Sequence, residues 1–294
     1  DITGSLAAAA LHADVYENWT DVPGILAADP KIVKRPAPIE TLSYPELQLL
    51  SAAGTQVLHE SAVAPVRERQ IPLHIRSTFA PDAPGTRIGF DAPASLSASG
   101  VIGFAGRRPV SMLRVIFPEN VEETALREVH ACLNEHRIET FHSACGVEGL
   151  CLLLSSGAEA DALHAAAEQL RERFPDAKVK LRENLAVLLA LCRSTKDIPK
   201  LSAAIEASGA PVHHLVQTPP GAMFCVNDSQ YEQALRAAYG AAFAGALLFV
   251  THMVQYEKSR NRRNVHGKKA ARHLYRPWDR RFYRAEHGAL QTRI

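Results

Sequence analysis

Two carboxylates in a loop interrupted by proline and glycine are the residues whose type and spacing most readily suggest chemistry. They are Asp21 and Asp29, in the stretch Trp19–Lys31, WTDVPGILAADPK. Pro23 and Pro30 lack amide donors and Gly24 loosens the backbone, so a helix cannot run through the segment, which reads as a strand end opening into a loop. In α/β sheets such loops are where ligands bind: exposed carboxylates accept hydrogen bonds from ribose or base, and turn amides face phosphate. Taken alone, the same residues equally make an ordinary surface turn. A shorter echo, PGTRI, lies downstream at Pro84–Ile88. A third carboxylate, Asp1, heads a helix, where a plain N-cap and a functional group are both admissible.

The elements that must position these groups are legible from local pattern. Thr3–Ala13 is rich in Ala and Leu and predicts a helix, and Val15–Thr20 leads from it into the loop. Leu47, Leu49, Leu50 and the Ala52–Ala53 pair form an apolar helix stripe, with Gly54 at the C-cap. Ala62–Arg69 predicts a short helix, and Leu73–Arg76 alternates as a half-buried strand. Phe90–Gly106, rich in Ser, Ala and Gly, is the best linker candidate. Beyond it the βαββαβ periodicity occurs twice. The first pass is strand Ser111–Phe117, helix Val121–His136, the pair Ile138–Cys145 and Gly149–Ser155, helix Ala158–Phe174 and strand Lys178–Leu181. The second is Leu185–Cys192, helix Ile198–Ser208, strands Val212–Gln217 and Met223–Val226, and helix Tyr231–Phe243. Strands and helices alternating in this way predict two ferredoxin-like α/β sandwiches.

Length and composition bound the reading. At 294 residues and 47% apolar content the chain can hold one large or two to three small domains with real cores, which excludes a disordered protein. Its five cysteines show no CxxC pair and no zinc spacing, so reduced thiols in a cytoplasmic protein without a structural metal are expected. The first residues lack a basic n-region followed by an apolar h-region, so no signal peptide is evident. The start at Asp1 rather than Met leads to the expectation that sequence precedes it. The net charge of +2 conceals an asymmetry: from Glu257 onward, twelve Lys and Arg face three acids, for a net +9, leaving −7 on the body.

In order and spacing, DITGSLAAAAL, WTDVPGILAADPKIV, LSYPELQLLSAAGTQVLH and IPLHIRSTFAPDAPGTRI resemble the second half of an aspartate kinase catalytic domain. The two βαββαβ passes resemble that family's paired ACT regulatory domains, and the resemblance covers roughly residues 1–240. It implies a partial amino-acid-kinase (carbamate-kinase-like) α/β domain at 1–90, a linker at 91–108, ACT domains at 109–184 and 185–250, and a basic tail at 251–294. The intact relative would transfer the γ-phosphoryl group of ATP, with Mg²⁺, to the side-chain carboxylate of L-aspartate, opening lysine, threonine and methionine synthesis. With the family's KFGGSS-like N-terminal lobe absent, the chain alone is expected to have little or no kinase activity.

Carried over residue by residue, the resemblance puts Asp1 at the amino-acid substrate and the transferring phosphate, although the glycines of the family's GGSD-like turn are absent. Thr20, Asp21, Leu26, Lys31, Gln56 and Val57 would line the ATP site. Leu26 stands where an aromatic is common, Lys31 where Arg is common, and Gln56 in GTQVLHE where a phosphate-contacting Lys is usual. Lys31 neutralises phosphate as a point charge without the bidentate fork of Arg, and Gln56 supplies no charge to a developing metaphosphate. A feedback amino acid, lysine or threonine, would sit between Glu119–Leu126 and Glu139–Ser143. The effector set is then Glu119, Glu122, Leu126, Glu139, Thr140 and Phe141, with Phe141 replacing the Asp of lysine-sensitive members. The family also implies a homodimer through the ACT domains.

Two readings from other classes stand beside this one. Some aspartate kinases pair a full chain with a shorter, non-catalytic ACT subunit, and the altered ACT loops allow that role here. In the tail, Lys and Arg interleaved with Tyr275, Trp278, Phe282 and Tyr283 could neutralise phosphates and stack bases, which would make a nucleic-acid partner. An exposed disordered tail is preferred. One origin for a tail unlike the family is a shifted reading frame. The uncharged run Ala237–Tyr256 superficially fits a membrane span, but its richness in Ala and Gly favours a helix and strand of an ACT domain.

Overall fold

The computed structural model describes residues 1–54, 60–90, 100–118, 123–146, 149–155, 157, 159–218 and 220–243. The basic tail, Gln56, Val57, Glu119 and Glu122 lie outside the described residues. The first part is α1 (Ile2–Ala10), β1 (Tyr16–Thr20), β2 (Thr41–Ser43), α2 (Tyr44–Ala52), α3 (Glu60–Glu68), β3 (Leu73–Ser77) and β4 (Thr86–Gly89). Its four strands make a mixed sheet in the order β1-β3-β4-β2, with β1 parallel to β3, β3 antiparallel to β4 and β4 parallel to β2. Local chemistry sets several boundaries. Ser43 and Glu46 form a reciprocal capping box at the start of α2. After Ala53, Gly54 takes φ +108, which a Cβ would strain. α1 ends at Ala10, three residues before the predicted end, and His12 lies just beyond it at φ 51. β3 is buried at Leu73, His74 and Ile75 in succession, and so departs from half-buried alternation, since side chains on both faces of the strand are covered.

The second part contains β5 (Val101–Ile116), α4 (Glu123–Glu135), β6 (Thr140–Gly146), β7 (Gly149–Leu154), α5 (Ala160–Arg173), β8 (Lys178–Cys192), α6 (Ile198–Ala207), β9 (His214–Thr218) and β10 (Gly221–Asn227), then a helix over residues 231–243, here α7. The strands form one sheet in the order β6-β7-β5-β8-β10-β9. Strands β5 and β8, at 16 and 15 residues, are nearly three times the usual length of about 5–6 residues and pair antiparallel, so each serves two sandwiches.

In the first sandwich the later half of β5 leads into α4, β6, β7, α5 and the early half of β8, with neighbours in the order β6-β7-β5-β8. That is the predicted βαββαβ unit. The second unit begins with the later half of β8 and continues through α6, β9, β10 and α7. Its remaining edge position, beside β8, is taken by the early half of β5. Residues 101–106 therefore differ from the linker reading. Val101, Ile102, Phe104 and Ala105 are buried as a strand of the second sandwich, and the first sandwich is inserted into the second. Composition misled here because Gly103 and Gly106 mark close backbone approach within a strand: a Cβ at Gly103 would come within 3.1 Å of Ala27 Cα.

The largest core joins the first part to the second sandwich: Ile25, Leu47 and Leu50 pack in the same cluster as Phe104, Leu189, Phe224 and Tyr239. A second core, with Leu113, Val129, Leu152 and Leu170, fills the helix-covered side of the first sandwich. On the opposite face, Cys151 and Leu153 of β7 meet Cys225 of β10, although two strands separate β7 from β10 in the sheet. The register shifts at Arg107/Val110 and Val110/Met112 lie in the middle of β5, where the sheet must fold for those faces to meet.

Candidate functional site

The Trp19–Lys31 stretch forms one wall of a cleft of about 340 Å³, with Gly54, residues 104–106 of β5 and Tyr231 of α7 on the other sides. Its backbone is fixed by a ladder. Ile39 N donates to Ile25 O (2.8 Å), Ala27 N to Ala37 O (2.8 Å) and Phe104 N to Ala27 O (2.8 Å). The downstream echo PGTRI proves to be part of the same scaffold. Thr86, fully buried, accepts from Ile25 N (2.8 Å) and donates from its hydroxyl to Ile39 O (2.6 Å). Gly24 lies against it at φ +126, where a Cβ would come within 2.7 Å of the Thr86 hydroxyl.

Of the residues expected at a nucleotide, Leu26 and Lys31 line this cleft, together with Asp29 and Pro30. Asp29 Oδ1 accepts from Lys31 N (2.8 Å), which curls the loop back and leaves the Lys31 side chain exposed. Thr20 and Asp21 stand at the end of β1, where Thr20 Oγ1 donates to Asp21 Oδ1 (3.1 Å) and Thr20 O accepts from Thr78 N (2.8 Å). Asp1 is the N-cap residue of α1, but its side chain makes no capping bond, and its carbonyl accepts from Tyr16 Oη at 3.0 Å, at the opposite end of β1 from Thr20. Among the described residues no hydrogen bond or ion pair joins Asp1 to Thr20 or Asp21. The cleft thus brings together the second half of the loop, and Asp1, Thr20 and Asp21 lie apart from its lining.

Sequence reasoning missed Thr86, Tyr231, Gly54 and Gly106. Tyr231 closes the cleft with its hydroxyl pushed up to about 12, first by burial and then by the Asp29 carboxylate, while Arg108 sits over its ring at 5.2 Å. A Cβ at Gly106 would overlap Tyr231 Oη, and one at Gly54 would come within 2.5 Å of Gly106 O. The only sequence signal was glycine placement, and it gives no partner. Among the described residues no cluster of three His, Cys, Asp or Glu could hold a metal ion.

Of the effector residues within the described chain, Leu126 packs into the helix-covered core of the first sandwich. Phe141 lies on the other sheet face beneath Arg107, whose guanidinium carbon is 4.7 Å from the ring centre. Glu139 is exposed and its carbonyl accepts from Ser155 N. Thr140 opens β6, with a register shift before His142. The fold sets Leu126 and Phe141 on opposite sides of the sheet.

A model of the amino acid kinase family matches residues 1–77. Aspartokinase 3 of Bacillus subtilis is 27% identical over 256 residues, which covers 84% of this chain and 56% of that protein. The crystal structure of Clostridium acetobutylicum aspartate kinase superposes with a TM-score of 0.72 at 29% identity, covering 82% of this chain and 57% of the other. The chain is aspartate-kinase-like in sequence and in fold. It combines part of an amino-acid-kinase α/β domain with two ferredoxin-like ACT sandwiches. E. coli aspartokinase III, solved with aspartate and ADP, has the same fold at 22% identity and a TM-score of 0.65. The aspartate-kinase-like chain spans about half the length of each of these three relatives. No described helix is long and apolar enough to cross a membrane.

Proposed function

We propose that this chain carries the nucleotide-facing part and the regulatory part of an aspartate kinase, a cytoplasmic enzyme that moves the γ-phosphoryl group of ATP to the side-chain carboxylate of L-aspartate. The observation that carries the reading is the cleft walled by the Trp19–Lys31 loop, because the segment richest in family resemblance is also held in place by backbone hydrogen bonds to residues 37, 39 and 104. Phosphoryl transfer depends mainly on positioning and on neutralising charge. Lys31 supplies a cation at the rim, the Asp29 turn orients it, and Tyr231 with residues 104–106 excludes water from the inner wall. Mg²⁺ would arrive on the nucleotide phosphates, as is usual for this ion.

Titration of the 294-residue chain with a fluorescent ATP analogue and Mg²⁺ tests the reading. Saturable binding is expected, weakened about tenfold by Lys31→Ala and strengthened by Lys31→Arg, which restores the fork. Binding indifferent to both substitutions would remove the cleft as the nucleotide site. Feedback by lysine or threonine through Leu126, Glu139, Thr140 and Phe141, and pairing of two copies through the sandwiches, belong to the same proposal. Calorimetry with each amino acid and sedimentation with and without it test them.

A further inference from the structure

Where the facing halves of the sheet open, Arg114, Ile116, Ala144, Cys145, Gly146 and Gly149 line a cavity of about 480 Å³ together with Leu150, Cys151 and His214. That volume suits a small molecule. Among the described residues Arg114 is the one charged residue of the lining, and the neighbouring strand positions outside it carry the same sign. Arg114 pairs across β5 and β8 with Lys180, and Met112 in the next row with Arg182. Like charges directly opposite in a sheet repel and are destabilising. His142 pairs with Leu153, whose side chain belongs to the same face, and His214 reaches the cavity from β9. The Nε2 atoms of both imidazoles are buried without a hydrogen-bond partner. Burial holds both rings below their ordinary pKa, and Arg114 and His142 lower His214 further. Among the described residues no carboxylate lines the cavity, and Arg114 has neither an ion pair nor a hydrogen bond.

Arg114 is exposed at the cavity and meets no carboxylate in its lining, and we infer that this cavity binds a small carboxylate or phosphate through Arg114, with the His214 ring beside it. Ile116, Ala144 and Leu150 would cover the ligand's apolar body. With no acid in the lining, nothing would hold an ammonium group, so free amino acids such as lysine and threonine are disfavoured there. The site is separate from the ATP cleft, whereas Phe141 of the proposed feedback set packs in the same cluster as Ala144 and Cys151 of the cavity lining.

The test is calorimetry on the full 294-residue chain with inorganic phosphate and with succinate as separate probes, and with lysine as the zwitterionic comparison. Saturable binding of either anion is expected, weakened about tenfold or more by Arg114→Gln, since a charge-assisted contact would be lost. His214→Gln, checked for folding by circular dichroism, should weaken the same probe. Arg127→Gln, on the exposed face of α4 and paired with Glu123, should not. Binding of neither anion, equal loss with Arg127→Gln, or no loss with Arg114→Gln in a folded protein would overturn the inference. Phosphate binding with no succinate binding, or the reverse, would support it and identify the head group. Nucleotide binding in the Lys31→Ala variant reads the other site separately.

Discussion

Thr86 holds together two segments sixty-one and forty-seven residues away in sequence, through a single hydroxyl that accepts from Ile25 N and donates to Ile39 O. Replacing it by valine keeps the shape and removes both bonds, leaving an amide and a carbonyl buried without partners. Each such group costs roughly 1–3 kcal/mol. Thr86→Val is therefore expected to lower unfolding stability by about 2–4 kcal/mol in urea titration and to weaken nucleotide binding along with it. Thr86→Ser should retain most of both. A valine variant as stable as the parent would show that the hydroxyl does not set the loop. Gly24 has its reason in the same place, because any side chain there would press on Thr86.

Helix α2 shows how an element couples the two parts. Glu46, 4% exposed, closes the capping box by accepting from Ser43 N at 2.7 Å, and also receives Arg193 from the end of β8 at 2.7 and 3.0 Å. Arg193 reaches Thr41 O as well, and its own amide donates to Gly100 O. Burial alone would raise the Glu46 pKa, but the Arg193 guanidinium and the Ser43 amide together hold it below the ordinary value. A folded pKa depressed in this way gives stability that is fully present above the unfolded value, about 4.3, and is lost as pH falls through the folded value. Glu46→Gln would remove the carboxylate that faces the half-buried Arg193 guanidinium, at a cost of roughly 1–3 kcal/mol near neutral pH. The gap between variant and parent should narrow below about pH 4. Denaturation curves from about pH 3 to 7 check both points, and a gap independent of pH would mean that the pair is not what holds α2 to β8.

At the scale of the molecule, the largest core is shared: Ile25, Leu47 and Leu50 from the first part pack with Phe104, Leu189, Phe224 and Tyr239 from the second sandwich. Ala37 N donates to Tyr239 Oη at 2.9 Å, and Arg236 Nε to Ile32 O at 3.1 Å, so α7 grips the loop from outside. Residues 1–90 expressed alone are expected to remain unfolded, because the apolar side chains that complete their core belong to the second sandwich. A dispersed NMR spectrum from that fragment would contradict this. In the whole chain, hydrogen exchange should open β3 and the later half of β8 in one step. The sequence by itself determined most of the helices and strands, the first βαββαβ pass and the Trp19–Lys31 loop, because periodicity and the placement of Pro and Gly are local properties of the chain. Only the tertiary structure decided that residues 101–106 are a strand of the second sandwich, that Thr86 braces the loop from beneath, that Tyr231 lines the cleft and that Asp1 does not. Pairing partners lie tens to hundreds of residues apart, and an edge position in a sheet is filled by whichever strand satisfies its backbone groups, whatever its place in the chain.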